Sequence, residues 1–117
     1  MRHTLPHFND SERWVVKSAL EERYGQALEP DTIDSEIRLN PSDRELTVCA
    51  GLYWQVDKVR FVILKTGPER YRCQFFYRLH EQYGTNIEEY DNIGDCVVSL
   101  LQTQADHERK RQLAAES

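Results

Sequence analysis

The sequence predicts an α+β domain in which an N-terminal and a C-terminal helix pack on one face of a four-stranded antiparallel β-meander. Residues 45–78 alternate apolar and polar side chains with a period of two, which is typical of strands. The flanking segments, near residues 10–24 and 92–101, carry apolar residues at three- and four-residue spacing, which is typical of helices. Helices before and after an antiparallel sheet indicate a two-layer architecture in the order α-β-β-β-β-α.

The first helix is predicted to begin after Asn9 and to end at Gly25. Asn9 can cap the helix with its side-chain oxygen, and Glu12, three residues later, can complete a capping box. Glycine commonly ends helices because it adopts the left-handed conformation at little cost. The apolar stripe that should face the sheet consists of Val15, Val16, Ala19, Leu20 and Tyr24. Trp14 lies outside that stripe, where it either folds back over the helix start or contacts a partner.

The first strand of the meander is predicted around residues 33–39, where Ile33, Ser35, Ile37 and Leu39 alternate with polar residues. It ends at Asn40-Pro41-Ser42-Asp43, a strong turn sequence. The register is predicted to pair Leu39 with Leu46, Ile37 with Val48, and Ser35 with Ala50. This register places all of these side chains on the helix-covered face.

The next two hairpins are predicted in registers that keep the large apolar side chains together. Across the Asp57-Lys58 turn, the expected pairs are Val56 with Val59, Trp54 with Phe61, and Leu52 with Ile63. Across the turn at residues 66–70, the expected pairs are Ile63 with Cys73 and Phe61 with Phe75. A slip of one residue would invert the faces. We therefore predict a core in which Trp54, Phe61 and Phe75 are neighbours beneath Leu20 and Leu100.

The last helix is predicted to begin near Asp91 or Asn92, and its apolar stripe ends at Leu101. The stripe consists of Ile93, Cys96, Val97, Leu100 and Leu101. The following residues are polar and include the charged run Glu108-Arg109-Lys110-Arg111. We therefore predict a single domain over residues 1–104, and over residues 105–117 a polar helical tail that frays or projects from it.

Composition excludes several functional classes. The chain has 117 residues, enough for one domain, and its net charge of −5 argues against general affinity for nucleic acid or anionic membranes. No apolar stretch approaches the length of a membrane span or of the core of a signal peptide, so we expect a cytoplasmic protein. The three cysteines, Cys49, Cys73 and Cys96, are widely separated, so we interpret them as free structural thiols. We expect no metal and no cofactor.

The sheet face opposite the helices, called here the second sheet face, is more apolar than a face in contact with water alone. It carries Tyr53, Val62, Leu64 and Phe76. Arginines beside aromatic and aliphatic groups are enriched at protein interfaces. We predict an interaction surface formed by Tyr53, Arg60, Val62, Leu64, Arg72, Phe76 and Arg78. Alternatively, the termini or residues 79–91, which contain two tyrosines, cover this face.

The preferred functional interpretation is a non-enzymatic protein-interaction module: an adaptor, a chaperone-like protein or a homodimeric regulatory domain. Its partner would be another protein or a second copy of the chain. This interpretation requires only surface features that the sequence contains.

Two other interpretations stay open. Single-stranded RNA could stack its bases on Tyr53 and Phe76, although the net charge disfavours this. A double-stranded-RNA-binding domain is excluded because the last helix opens with Asp95, where such a domain needs lysines. A small enzyme could use an acid–base pair of His80 and Glu81, or Cys49. The extra metal ligands would be His3, His7 and His107, but these residues lack metal-site spacing.

Overall fold

In the part of the chain that the structure describes, two helices and a six-stranded sheet form two layers, which confirms the predicted α+β class. The computed structural model describes residues 3–4, 7–40, 42–78 and 81–116. Its elements are β1 (His3–Thr4), α1 (Asp10–Tyr24), β2 (Asp31–Ile37), β3 (Thr47–Val56), β4 (Val59–Gly67), β5 (Arg70–Phe76), β6 (Gln82–Tyr83) and α2 (Ile93–Glu116). The strands from β2 to β6 pair antiparallel in chain order, and β1 pairs in parallel with the start of β3. The two-residue strands β1 and β6 were not predicted, because a strand of two residues is too short to show the alternation of apolar and polar side chains.

Helix α1 has the predicted side-chain cap, and α2 begins with a similar cap that was not predicted. Asn9 Oδ1 accepts from the backbone N–H of Glu12, and Glu12 Oε1 accepts from the backbone N–H of Asn9, both at 2.8 Å. Helix α1 ends at Gly25, which has a φ of 72°. At the start of α2, Asn92 Oδ1 accepts from the backbone N–H of Asp95 at 3.0 Å. Trp14 is 69% exposed, so it does not bury itself over the helix start.

The two central hairpins have the predicted registers. The β3–β4 pairs include Val56 with Val59, Trp54 with Phe61, and Leu52 with Ile63; the β4–β5 pairs include Ile63 with Cys73 and Phe61 with Phe75. The two-residue turn between β3 and β4 requires a left-handed backbone at Asp57, whose φ is 53°. Aspartate tolerates this conformation better than most residues, and the amide of Gln55 donates to the Asp57 carbonyl at 3.0 Å.

The core lies between the helices and the sheet, as predicted. Phe61 and Phe75 are fully buried on neighbouring strands, and Trp54 stacks on Phe61 with ring centroids 5.2 Å apart. Leu20 from α1 and Leu100 from α2 are fully buried in the same cluster. The aromatic row thus joins three strands beneath both helices.

The predicted register of β2 is wrong by one residue. The observed pairs are Ile37 with Thr47, Ser35 with Cys49, and Ile33 with Gly51. The Asn40–Asp43 turn, in which the Asp43 N–H donates to the Asn40 carbonyl at 3.0 Å, lies within a longer connection, because β2 ends at Ile37 and β3 begins at Thr47. Ile33 and Ile37 consequently lie on the second sheet face.

Replacing Gly51 by alanine tests this register. An added Cβ would lie 2.8 Å from Ile33 Cγ1 and 3.0 Å from Leu64 Cδ2, closer than non-bonded carbons approach. We expect the free energy of unfolding to fall by about 1–3 kcal/mol, measured by urea unfolding. In an Ile33→Ala background the penalty should shrink, because the obstructing atoms are gone. If Ile33 instead lay on the helix-covered face, as the predicted register places it, the Ile33→Ala background would not change the penalty of Gly51→Ala.

The second half of α2 contacts the sheet through polar and aromatic side chains. The helix continues without a break past residue 104, and its contacts there include Tyr77, the residue after β5. The His107 ring stacks on Tyr77 with centroids 5.6 Å apart, Tyr77 donates to Glu108 Oε2 at 2.9 Å, and the Arg111 guanidinium lies 4.2 Å above the ring. These contacts follow the apolar stripe that ends at Leu101, so α2 packs beside the sheet as far as Arg111.

Candidate interaction surface

Six of the seven residues of the predicted interaction surface lie together on the second sheet face. Strand pairing across β3, β4 and β5 sets them in three rows: Gly51, Leu64 and Arg72; Tyr53, Val62 and Gln74; and Gln55, Arg60 and Phe76. Arg78, two residues beyond β5, lines a groove together with Arg60 at the end of this face. The period-two alternation therefore assigned these residues to one side correctly.

Strand β2 adds two residues to this surface that sequence analysis missed. Ile33 lies over Gly51 in the first row, and Ile37 lies beside Thr47. The signal that could have placed Ile33 is Gly51 itself, because an isolated glycine within a strand often marks a close approach of another group. The apolar part of the second sheet face therefore extends across four strands, from Ile33 on β2 to Phe76 on β5.

The apolar residues of this face differ in exposure. Val62 and Phe76 retain 8% and 9% of their surface, whereas Tyr53 and Leu64 are half-buried. Both helices lie on the other side of the sheet, against the core cluster. Tyr53 and Leu64 are therefore the predicted surface residues best placed for an apolar contact with a partner.

The described part of residues 79–91, one of the alternative covers for this face, joins the sheet edge. Gln82 and Tyr83 form β6 beside β5, and Tyr90 forms a bridge with Tyr71. The Tyr83 ring lies 4.2 Å from the ring of His107 on α2, and Tyr90 is buried in the core cluster. Both tyrosines therefore pack on the helix side.

One arginine of the predicted surface is held by an internal network. Arg72 Nε lies 3.2 Å from Glu89 Oε2, and its Nη2 donates to the Leu39 carbonyl at 3.2 Å. Burial raises the pKa of Glu89, but hydrogen bonds from Thr66, Arg70 and Arg72 outweigh it and leave the pKa below its usual value. Glu89 is therefore a charged partner for Arg72. Among the described residues, no carboxylate lies within salt-bridge distance of Arg60 or Arg78.

The residues of the enzyme interpretation do not form a site in the part of the chain that the structure describes. Cys49 is fully buried, and burial raises the pKa of its thiol, which disfavours the nucleophilic thiolate. Glu81 is described, but His80 and the side chain of His3 lie outside the described residues. His7 lies 3.6 Å from Asp34, and His107 stacks on Tyr77. Within the described ranges, no three His, Cys, Asp or Glu side chains are arranged to hold a metal.

A buried ionic cluster lies on the other side of the sheet, where α1 meets β4 and β5. Lys65 Nζ donates to Glu12 Oε1 at 2.8 Å and to the His7 carbonyl at 3.3 Å, and the Tyr71 hydroxyl donates to Glu12 Oε2. Burial raises the pKa of Glu12, but these bonds and the cap from Asn9 leave it below its usual value. Burial and the Glu12 carboxylate raise the pKa of Tyr71. Glu12 therefore remains ionised and bonded, which is a structural role.

No protein-family model, curated protein or solved structure matches the chain. Across the residues that the structure describes, neither α1 nor α2 contains a stretch that is long and apolar enough to span a bilayer.

Proposed function

We propose that the protein is a protein-interaction module whose second sheet face binds an acidic, partly apolar segment of another protein. The observation that carries this proposal is the combination of half-buried Tyr53 and Leu64 with Arg60 and Arg78, which lack a carboxylate partner among the described residues. Protein interfaces usually have apolar contacts at their centre and complementary charges at their rim.

The apolar rows would supply most of the affinity. Removal of apolar surface from water contributes roughly 25 cal/mol per Å², and Ile33, Tyr53 and Leu64 still have surface to lose. Val62 and Phe76 are nearly buried already, so they support the neighbouring side chains and gain little from a partner. We therefore expect Tyr53 and Leu64 to be the energetic centre of the interface.

The charges favour a different protein over a second copy of the chain. Two copies related by a two-fold axis would juxtapose the same positively charged face, and the arginines at positions 60 and 78 would repel their counterparts. A carboxylate-bearing segment would instead pair with both arginines. The net charge of −5 does not counter this argument, because residues 53–78, which include both arginines, carry a net charge of +4 and the rest of the chain carries −9.

Single-stranded RNA fits the same face less well. Of the three arginines that could meet phosphates, Arg72 is already bonded to Glu89 and to the Leu39 carbonyl. Phe76, one of the two rings proposed to stack on bases, is only 9% exposed. Base stacking requires an accessible ring face, so the surface offers fewer contacts to RNA than the sequence indicated.

Site-specific photo-crosslinking tests the proposal. A photoreactive amino acid at position 53 should crosslink a discrete acidic protein in cells that express this chain, whereas the same group at position 98 on the outer side of α2 should not. Binding of that purified protein should weaken about 10- to 100-fold in Leu64→Asp, measured by calorimetry, because a charge then replaces a central apolar contact. Val98→Asp, at a position that is 60% exposed, is the matched control and should bind normally.

Three results would contradict the proposal. A doubled mass in solution that Leu64→Asp restores to the monomer would identify a homodimer. Binding of an oligouridine probe that weakens in Arg60→Gln and Arg78→Gln, with a smaller salt dependence, would identify an RNA surface. Unfolding of Leu64→Asp at ambient temperature would show that the chain itself covers this face.

A further inference from the structure

Basic side chains from three elements meet in a cavity at the end of the domain that carries the β3–β4 turn. The cavity, called here the basic cavity, has a volume of about 820 Å³. Its basic residues are Arg23 from the last turn of α1, Lys58 from the turn, and Arg109 and Arg111 from α2. The volume falls within the range of small-molecule sites, roughly 300–1,000 Å³. These residues come from distant parts of the chain, so their convergence is visible only in the folded protein.

A second groove continues the positive charge around Arg111. It has a volume of about 500 Å³, and its basic residues are Lys58, Arg60, Arg78 and Arg111. Lys58, Tyr77 and Arg111 line both spaces, so the two are contiguous. Together they hold six basic residues and only three carboxylates: Asp57, Glu81 and Glu108. In a chain with a net charge of −5, this concentration makes one end of the domain positive.

Two arginines of the basic cavity, Arg23 and Arg111, are held by aromatic rings. The Arg111 guanidinium lies 4.2 Å above the Tyr77 ring, and the Arg23 guanidinium lies 5.6 Å from the Tyr24 ring. Stacking on a ring holds a guanidinium without using its N–H groups. Among the described residues, no carboxylate lies within salt-bridge distance of Arg23, Lys58 or Arg111, whereas Arg109 lies 3.4 Å from Asp106.

The wall of the cavity is held in place by Tyr77. Its hydroxyl donates to Glu108 at 2.9 Å and accepts from Gln104 Nε2 at 3.3 Å. Burial and the Glu108 carboxylate raise the pKa of Tyr77, so the hydroxyl remains a neutral donor. These bonds occupy one of the few acidic groups in the cavity and anchor the helix turn that carries Arg111. The site is therefore preorganised, which reduces the entropic cost of binding.

Part of the remaining lining is apolar. Val56, Val59 and Ala105 form apolar wall beside Tyr24. The Tyr24 hydroxyl is buried and interacts with the side chain of Trp54, and burial raises its pKa.

We propose that the basic cavity binds a small organic phosphate. Arg23, Lys58 and Arg111 would hold the phosphate, and its organic part would pack on Tyr24, Val56 and Val59. Several separate cations suit a phosphate better than a carboxylate, because a phosphate dianion presents three oxygens to different donors. The site is separate from the apolar rows of the second sheet face, so this inference does not depend on the proposed protein partner.

Calorimetric titration with AMP, phenyl phosphate, adenosine and inorganic phosphate tests the inference. AMP and phenyl phosphate should bind and inorganic phosphate should bind more weakly, while adenosine should give no signal. Amide NMR spectra should place the shifts at Tyr24, Val56 and Lys58. Lys58→Gln and Arg111→Gln should each weaken AMP binding about 10-fold, since each removes a hydrogen bond to a charged group. Lys58 lies on an exposed turn, so Lys58→Gln tests binding without loosening α2.

Two control variants test whether AMP binds at the basic cavity. Arg38→Gln removes an equally exposed arginine beyond the end of β2 and should leave AMP binding unchanged. Leu64→Asp should also leave it unchanged, even though it disrupts the proposed protein interface. The inference is overturned if neither organic phosphate binds, if Lys58→Gln and Arg111→Gln both bind AMP as tightly as the wild type, or if Arg38→Gln weakens binding as much as they do.

Discussion

Phe61→Ala is expected to lower the free energy of unfolding by about 3–5 kcal/mol. Phe61 is fully buried at the centre of β4, between Trp54 on β3 and Phe75 on β5, with ring centroids 5.2 and 6.3 Å away. Truncation removes the apolar surface of the ring and leaves a cavity that these rigid neighbours cannot fill. Because small domains are stabilised by only about 5–15 kcal/mol, much of the protein should be unfolded under mild conditions.

Urea unfolding followed by circular dichroism measures this effect, and the fluorescence of Trp54 reports the same site. Phe61→Leu is the graded control and should cost less, because leucine refills part of the volume. Val98→Ala, on the exposed side of α2, should change the free energy of unfolding by no more than about 0.5 kcal/mol. An unchanged urea midpoint in Phe61→Ala would mean that the aromatic row is not the core.

Lys65→Met is expected to cost about 3–5 kcal/mol at neutral pH, because it leaves the Glu12 carboxylate buried without its cation. The two side chains are both 8% exposed and are joined by a 2.8 Å bond. Lys17→Met is the matched control: Lys17 forms a 2.7 Å pair with Glu29, but both side chains are largely exposed. Loss of such an exposed pair should cost no more than about 1 kcal/mol.

The pKa of Glu12 determines how the stability of the wild type and of Lys65→Met should change with pH. In the wild type the pKa of Glu12 lies below its ordinary value of 4.5. The stabilisation from its ionised form is therefore present above pH 4.5 and is lost as the pH falls through the lower pKa of the folded state. In Lys65→Met, burial without the cation should raise the pKa of Glu12, so that protonation relieves the penalty in acid.

The difference in stability between wild type and Lys65→Met should accordingly be largest at neutral pH and shrink towards about pH 4. A Glu12→Gln/Lys65→Met double variant should recover much of the loss at neutral pH, because no charge remains buried. Equal losses at both pH values, with no recovery in the double variant, would mean that packing of the lysine stem and not the ion pair stabilises this cluster.

The hairpins show why part of the fold was predictable and part was not. Two-residue turns join β3 to β4 and β4 to β5, so each apolar pattern constrains its neighbour and one register keeps all large groups together. Strand β2 is joined to β3 by residues 38–46, and a connection of that length permits a shift of one residue. The pattern of β2 could not decide the shift, because Ile33 and Ile37 are also partly buried on the second sheet face, beside Gly51 and Thr47.

Sequence patterns alone predict the fold class, the cap of α1 and the side of the sheet on which Tyr53, Arg60, Val62 and the other surface residues of β3–β5 lie. Each of these follows from neighbours a few residues apart. Long-range packing is what brings Glu12 to Lys65, 53 residues away, Arg72 to Glu89, and Arg23 and Arg111 to one cavity. Local periodicity assigns a side chain to a face, but its partner there depends on how distant elements pack, and no local pattern encodes that.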